Sequence, residues 1–169
     1  MTWWSNQEVD PKRKNRFKVF IDSKLLVTAV SVTKPAVNIE SKEYQMVNQM
    51  YNYPGIAKWD PISITFVDAN GSNNVANEYK TSDNLWNILT NSGYSSPVGN
   101  ASPGKSKMVS KSLGNDARIV HITSDGEEIE KWTLHNPIIT KLSWGELDYG
   151  DDGMVQYSMD IKYDWATLD

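Results

Sequence analysis

Val155-Gln156-Tyr157-Ser158-Met159-Asp160-Ile161-Lys162-Tyr163 is the stretch that decides the fold class. Val155, Tyr157, Met159, Ile161 and Tyr163 alternate strictly with Gln156, Ser158, Asp160 and Lys162. Only an extended chain puts each of these sets on its own face, so the segment reads as a half-buried antiparallel strand. Ile62, Ile64 and Phe66 alternate with Ser63 and Thr65 in the same way and run into the turn sequence Asp68-Ala69-Asn70-Gly71-Ser72. Further strands are expected at Phe17–Ile21, Leu25–Thr33, Ala117–Ile122, Glu128–Leu134 and Ile138–Leu147. Thr123-Ser124-Asp125-Gly126-Glu127 is the expected hairpin turn between two of them.

One segment changes to a helical period. Leu85, Trp86, Ile88 and Leu89 form an apolar face, Asp83 lies in the first turn, Thr81 or Ser82 can cap the start, and Gly93 stands where the helix would close. A helix of about three turns is short enough that it is expected to pack over a sheet. The fold expected is mainly β: an antiparallel barrel or sandwich with one short flanking helix.

Composition narrows the function classes. The 169 residues suit a single domain spanning 1–169, and 39% hydrophobic with 22% charged residues is ordinary for a folded soluble chain. A net charge of −4 argues against a broad phosphate-neutralising surface. There is no cysteine, hence no disulfide, thiolate nucleophile or cysteine metal site. No apolar run is long enough for a membrane span and the N-terminus has no signal-peptide core, so a soluble chain without a membrane anchor is expected.

Two stretches break the regular order. Residues 97–114 are rich in Ser, Gly, Pro and Lys and read as an exposed loop. Val37–Pro54 alternates over a length greater than a compact sheet needs. Read as one strand, Tyr44, Met46, Asn48 and Met50 share one face, and Glu43, Gln45, Val47 and Gln49 the other. Such a protruding arm cannot satisfy itself alone; it packs under the domain or reaches onto another chain.

Motifs of chemistry are weaker. Gly99-Asn100-Ala101-Ser102-Pro103-Gly104-Lys105-Ser106 matches the phosphate-binding P-loop pattern, but neither the buried strand before it nor the helix after it is visible in the sequence. His121 and His135 are the only histidines, far apart and without an HExxH-type pattern; a two-histidine zinc site or a Ser–His–Asp triad stays open, with satisfied structural histidines favoured. Asp148, Asp151 and Asp152 between glycines suggest calcium, but the last position of a twelve-residue loop falls on Met159, so a solvated turn is favoured. Lys12, Arg13, Lys14, Arg16 and Lys18, with Trp3 and Trp4 upstream, could touch nucleic acid but read better as a solvated flank. No catalytic, cofactor-binding or metal residue is assigned.

Four blocks carry a resemblance. They are WWSN…DPKRKNRFKVFI at Trp3–Ile21, the Lys34-Pro35…NYPG…W…ITFVD block within Val32–Asp68, LWNILTNSGY at Leu85–Tyr94, and the WTLHNPII…GELDY…YDWA block within Glu130–Ala166. In this order they resemble the tail-tube proteins of contractile-tailed, myovirus-type bacteriophages, related in fold to type VI secretion tube proteins. The resemblance covers most of the chain outside Pro97–Gly114. It implies a non-enzymatic virion protein, assembled in the host cytoplasm, whose hexameric rings join their sheets into one inner barrel and stack into a hollow tube for DNA. The implied partners are further copies of the chain, the tail sheath protein, baseplate tube-initiator proteins, the tape measure protein in the lumen, and DNA in transit without specific binding. No cofactor is implied. Val37–Pro54 would be the inter-subunit arm, with Tyr44, Met46, Met50, Tyr51 and Tyr53 as contact residues, and Asp160 would face the lumen on a net negative wall. Alternatives are a baseplate tube-initiator paralogue of the same fold, a monomeric β-barrel binding module, or a nucleotide enzyme using Lys105.

Overall fold

The computed structural model describes residues 11–21, 24–69, 80–92, 94 and 116–169. Trp3, Trp4, residues 70–72 of the expected turn, Gly93, and the 97–114 stretch with Gly99–Ser106 lie outside the described residues. The elements run β1 Phe17–Ile21, β2 Lys24–Leu25, β3 Ala29–Val32, β4 Val37–Met46, β5 Gln49–Trp59, β6 Ile62–Val67, α1 Thr81–Asn91, β7 Asp116–Ile122, β8 Glu128–His135, β9 Ile138–Ser143, β10 Gln156–Lys162 and β11 Trp165–Leu168. Every strand pairing among the described residues is antiparallel. A five-stranded sheet in the order β11-β8-β7-β1-β2 and a four-stranded sheet in the order β3-β6-β10-β9 share one core, while β4 and β5 form a third sheet of their own.

The two strands most legible from alternation pair with each other. Ile62 lies opposite Ile161, Ile64 opposite Met159 and Phe66 opposite Tyr157, and all six are buried. Val19, Ile21, Ala117, Ile119 and Leu134 close the core from the five-stranded sheet, and Leu85 of α1 enters it. Each such fully buried aliphatic or aromatic side chain stabilises the fold by roughly 1.5–3 kcal/mol. The Tyr157 hydroxyl donates to Asp68 Oδ2 at 2.7 Å, while the Asp68 N–H donates to the Val155 carbonyl, which fixes the exit of β6 against the entry of β10. Burial and the adjacent carboxylate push the Tyr157 phenol up to about 12.

Four local expectations need correction. Leu25–Thr33 is not one strand: after β2 the chain turns at Leu26–Ala29, where the Ala29 N–H donates to the Leu26 carbonyl, and β3 continues in the other sheet. The strand expected to reach Leu147 ends at Ser143, because Gly145 takes a φ of +68° that extended backbone does not allow. Neither Thr81 nor Ser82 caps α1. Lys80 holds the capping position without a side-chain bond, and the Thr81 hydroxyl instead donates to the Val67 carbonyl and accepts from the Ala69 N–H, tying the helix to the end of β6. Trp86 also leaves the expected apolar face: it is exposed and meets the rings of Tyr94 and Trp144 at 5.9 and 6.1 Å. The turn at 123–127 forms as expected, with the Thr123 hydroxyl accepting from the N–H groups of Asp125 and Glu127.

Candidate functional site

The long alternating stretch is a β-hairpin. Val47 and Asn48 reverse the chain, and the register sets Met46 opposite Gln49, Tyr44 opposite Tyr51, Lys42 opposite Tyr53 and Gln45 opposite Met50. Side chains on directly opposed residues share a face. One face of the arm therefore carries Lys42, Tyr44, Met46, Gln49, Tyr51 and Tyr53, and the other carries Glu43, Gln45, Met50 and Asn52. This corrects the single-strand reading, in which Met50 shared a face with Tyr44 and Met46. On the first face Tyr44 and Tyr53 meet edge to face with centroids 5.5 Å apart, and the Tyr51 hydroxyl donates to Gln49 Oε1 at 3.0 Å.

The arm is nearly all surface. Every residue of β4 is exposed, and in β5 only Gly55 and Trp59 are even half-buried. Val37, Ile39, Tyr44, Met46, Val47, Met50, Tyr51, Tyr53 and Ile56 all stand in solvent, with Met46 at 69% and Val47 at 87% exposure. An isolated two-stranded hairpin is marginal in water, so the arm depends on its root. There Asn38 Nδ2 donates to both oxygens of Asp60 at 2.9 and 2.8 Å, the Asp60 N–H donates to the Ala36 carbonyl at 2.9 Å, and the Trp59 ring lies 5.9 Å from Tyr163. A bulge at Gly55 and Ile56 tightens the root further: a Cβ on Gly55 would lie 2.8 Å from the Glu40 carbonyl oxygen.

Just below the root, Glu130 on β8 gathers three partners. Lys12 and Lys34 pair with its carboxylate, Lys34 at 2.6 Å, and Trp132 Nε1 donates to it at 2.6 Å. Lys12, followed by Lys34, holds the Glu130 carboxyl down at about 2. Sequence reading missed this residue, since its partners lie 118 and 96 residues away.

Asp160 lies on the outward face of the four-stranded sheet. The register places it between Ser63 and Lys141, and the same face carries Thr65, Ser158, Ser143, Ser31 and Lys162. That face is hydroxyl-rich, with one carboxylate and two lysines among these residues, and is half-buried apart from Ser31, Lys141 and Lys162.

The other singled-out residues are structural in their contacts. His121 Nε2 lies 2.8 Å from the Arg13 carbonyl, and His135 stacks on Trp165 with its Nε2 3.1 Å from the Thr167 hydroxyl. Asp148 and Asp151 accept from the N–H groups of Gly150 and Gly153, both at 2.9 Å, which makes two solvated turns. Among the described residues no three His, Asp or Glu side chains gather closely enough to hold a metal ion. No described helix is long and apolar enough to cross a membrane.

No family model matches the chain, and no curated protein does. Solved structures do. A chain of the anti-feeding prophage cap, which terminates the tube, superposes with a TM-score of 0.67 at 16% identity, covering 95% of this chain and 92% of that one. A chain of the six-fold symmetrised baseplate of the same particle gives 0.66 at 9% identity over 95% and 97%. The sheath–tube complex of the extracellular contractile injection system PVC, in its extended state, gives 0.65 at 16% identity over 94% and 91%. The fold is one found in contractile injection systems. At these identities the likeness establishes the fold, and it agrees with the tail-tube-like architecture expected from the sequence.

Proposed function

We propose that the chain is a structural subunit of the tube of a contractile tail, assembling as hexameric rings that stack into a conduit inside a sheath. The observation that carries the reading is the arm: nine large apolar side chains held in solvent on a hairpin that, among the described residues, pairs with neither sheet of the body. Exposure on that scale marks an interface between chains. Neighbours that are parts of a tube-terminating cap, a baseplate and a sheath–tube complex support the same role. In this reading residues 1–169 act as one unit, and Tyr44, Met46, Met50, Tyr51 and Tyr53 contact adjacent copies. The outward face of the four-stranded sheet, Asp160 included, lines the lumen. A wall of small hydroxyls with mixed charge offers passing DNA no continuous basic track to hold it. The sheath, the tube-initiator proteins and a tape measure protein are the remaining partners, and the assembled location is the virion.

Negative-stain electron microscopy across a concentration series tests this. Hollow six-fold rings or tubes are expected. A monomer at every concentration that binds ATP, with binding lost in Lys105→Ala, would overturn the reading in favour of a nucleotide site at Gly99–Ser106. The likeness to a baseplate chain favours a second reading, a tube initiator, which would form rings that do not elongate without partners.

A further inference from the structure

The four-stranded sheet has an exposed apolar feature at each end. The arm is rooted where β6 begins, beside Tyr163. At the far end of the same strand, roughly 17–20 Å away for six extended residues, the loop between β9 and β10 projects Leu147, Tyr149 and Met154 into solvent. Leu147 is 86% exposed, Met154 78% and Tyr149 fully so. This loop is shaped in advance. Gly145 takes its positive φ against the Gln156 carbonyl, and the Asp148 and Asp151 carboxylates each close a turn on a glycine N–H two residues on. Together with Ser143 and Gln156 the loop bounds an open hollow of about 1010 Å³, enough room for several aromatic or thioether side chains. Its charged residues are Glu146, Asp148, Asp151 and Asp152, all acidic.

We infer that this loop is the receptor for the arm of a second copy, docked through the face bearing Tyr44, Met46, Tyr51 and Tyr53. The inference rests on the tube reading and names the partner surface that reading lacks. Two observations select the occupant. Lys42 is the one charged residue on that face between Lys42 and Tyr53, opposite in sign to the four carboxylates, whereas the other face presents Glu43. Root and receptor also sit at opposite ends of the sheet, so the contact is head-to-tail, and a head-to-tail contact propagates into a ring or a filament.

The natural absence of cysteine makes the test clean. Met46→Cys chains are mixed with Leu147→Cys chains, oxidised under assembly conditions and resolved without reductant. Both positions are exposed, so neither change disturbs the core. A 46–147 cross-linked dimer is expected, several-fold more abundant than the 50–147 product from Met50→Cys on the opposite face. In parallel, Glu146→Lys with Asp152→Lys spares the two carboxylates that close turns and should abolish ring and tube formation; Lys42→Glu in the same chain should restore it. Rings or tubes without the 46–147 product, or with a 147–147 product dominant, would overturn this inference and leave the tube reading standing. An unmodified chain that never forms rings would overturn both.

Discussion

Three glycines separate two costs that usually arrive together. Gly126 has a φ of +87° with nothing within 4 Å of an added Cβ, so alanine there meets backbone strain alone. Gly55 has no positive φ, but its Cβ would lie 2.8 Å from the Glu40 carbonyl oxygen, so alanine there meets a clash alone. Gly145 has a φ of +68° and its Cβ would strike the carbonyl oxygen of Gln156, the first residue of β10, so alanine there meets both. A left-handed residue with a Cβ costs about 1–2 kcal/mol, reduced by the entropy that alanine removes from the unfolded chain, which leaves about 1 kcal/mol for Gly126→Ala. Forcing an extra carbon against backbone adds about 2 kcal/mol, so Gly145→Ala should cost about 3 kcal/mol. With a urea slope of about 2 kcal/mol/M, the midpoints should fall by about 0.5 M and about 1.5 M respectively. Gly55→Ala should leave the global midpoint almost unchanged and instead raise hydrogen exchange across the β4–β5 ladder, since the arm is a separate sheet. Unfolding is followed by far-ultraviolet circular dichroism at a concentration where the chain is monomeric. Equal shifts for Gly126→Ala and Gly145→Ala would refute the reasoning, because the 144–155 loop would then slide away from β10 at no cost and could not be a preformed surface.

Glu130 titrates at about 2 in the folded chain against an ordinary 4.5, so its stabilisation is complete above about pH 4.5 and is lost as pH falls towards 2. Glu130→Gln should flatten the fall in stability across that window, measured by urea midpoints at stepped pH. The Tyr157 phenol, raised from 10 to about 12, contributes stability that is whole below pH 10 and lost as pH rises towards 12. Absorbance titration should show phenol ionisation extending above pH 10 that is reduced but not abolished in Tyr157→Phe, because burial and Asp60 raise the Tyr163 phenol as well. Tyr44→Ser with Tyr53→Ser removes an exposed ring pair and should leave the fold's circular dichroism and thermal midpoint unchanged while ring formation in electron micrographs is lost.

The body of the fold is legible in the sequence because its alternation is tied to burial. Ile62, Ile64 and Phe66 face Ile161, Met159 and Tyr157 across one ladder, and both sets read as period two before any pairing is known. The arm was legible as an anomaly of length but not as a hairpin. Its reversal at Val47 and Asn48 has no glycine or proline, and Val47 takes a φ of +57° that a β-branched residue rarely adopts. Alternation therefore runs on through the tip, and Met50 falls on the wrong face. The receptor loop is not legible as an apolar surface: Leu147 falls at the end of the expected strand Ile138–Leu147, and Leu147, Tyr149 and Met154, isolated among Asp and Gly, form no period. Glu130 was invisible for a different reason: its partners are brought to it by the topology alone.

The arm's energetics set how copies of the chain should associate. If a second copy covers Tyr44, Met46, Tyr51 and Tyr53, four of its nine apolar side chains, at about 1.5 kcal/mol each, one contact yields roughly 6 kcal/mol. Bringing two chains together costs about 4–15 kcal/mol in lost translation and rotation, before any ordering of side chains. A single arm-to-loop contact is thus close to break-even, and an open pair is weakly held. A subunit completing a closed ring gains two contacts for one loss of freedom, one through its own arm and one through its loop. Closure therefore favours the ring over the pair by about the whole value of one contact. Assembly should then show a sharp concentration threshold, with monomers and complete rings dominating the sedimentation profile and intermediates scarce. A smooth ladder of dimers, trimers and tetramers would mean that each arm contact is strong by itself, and that more of the arm is buried in a single pairing than this balance allows.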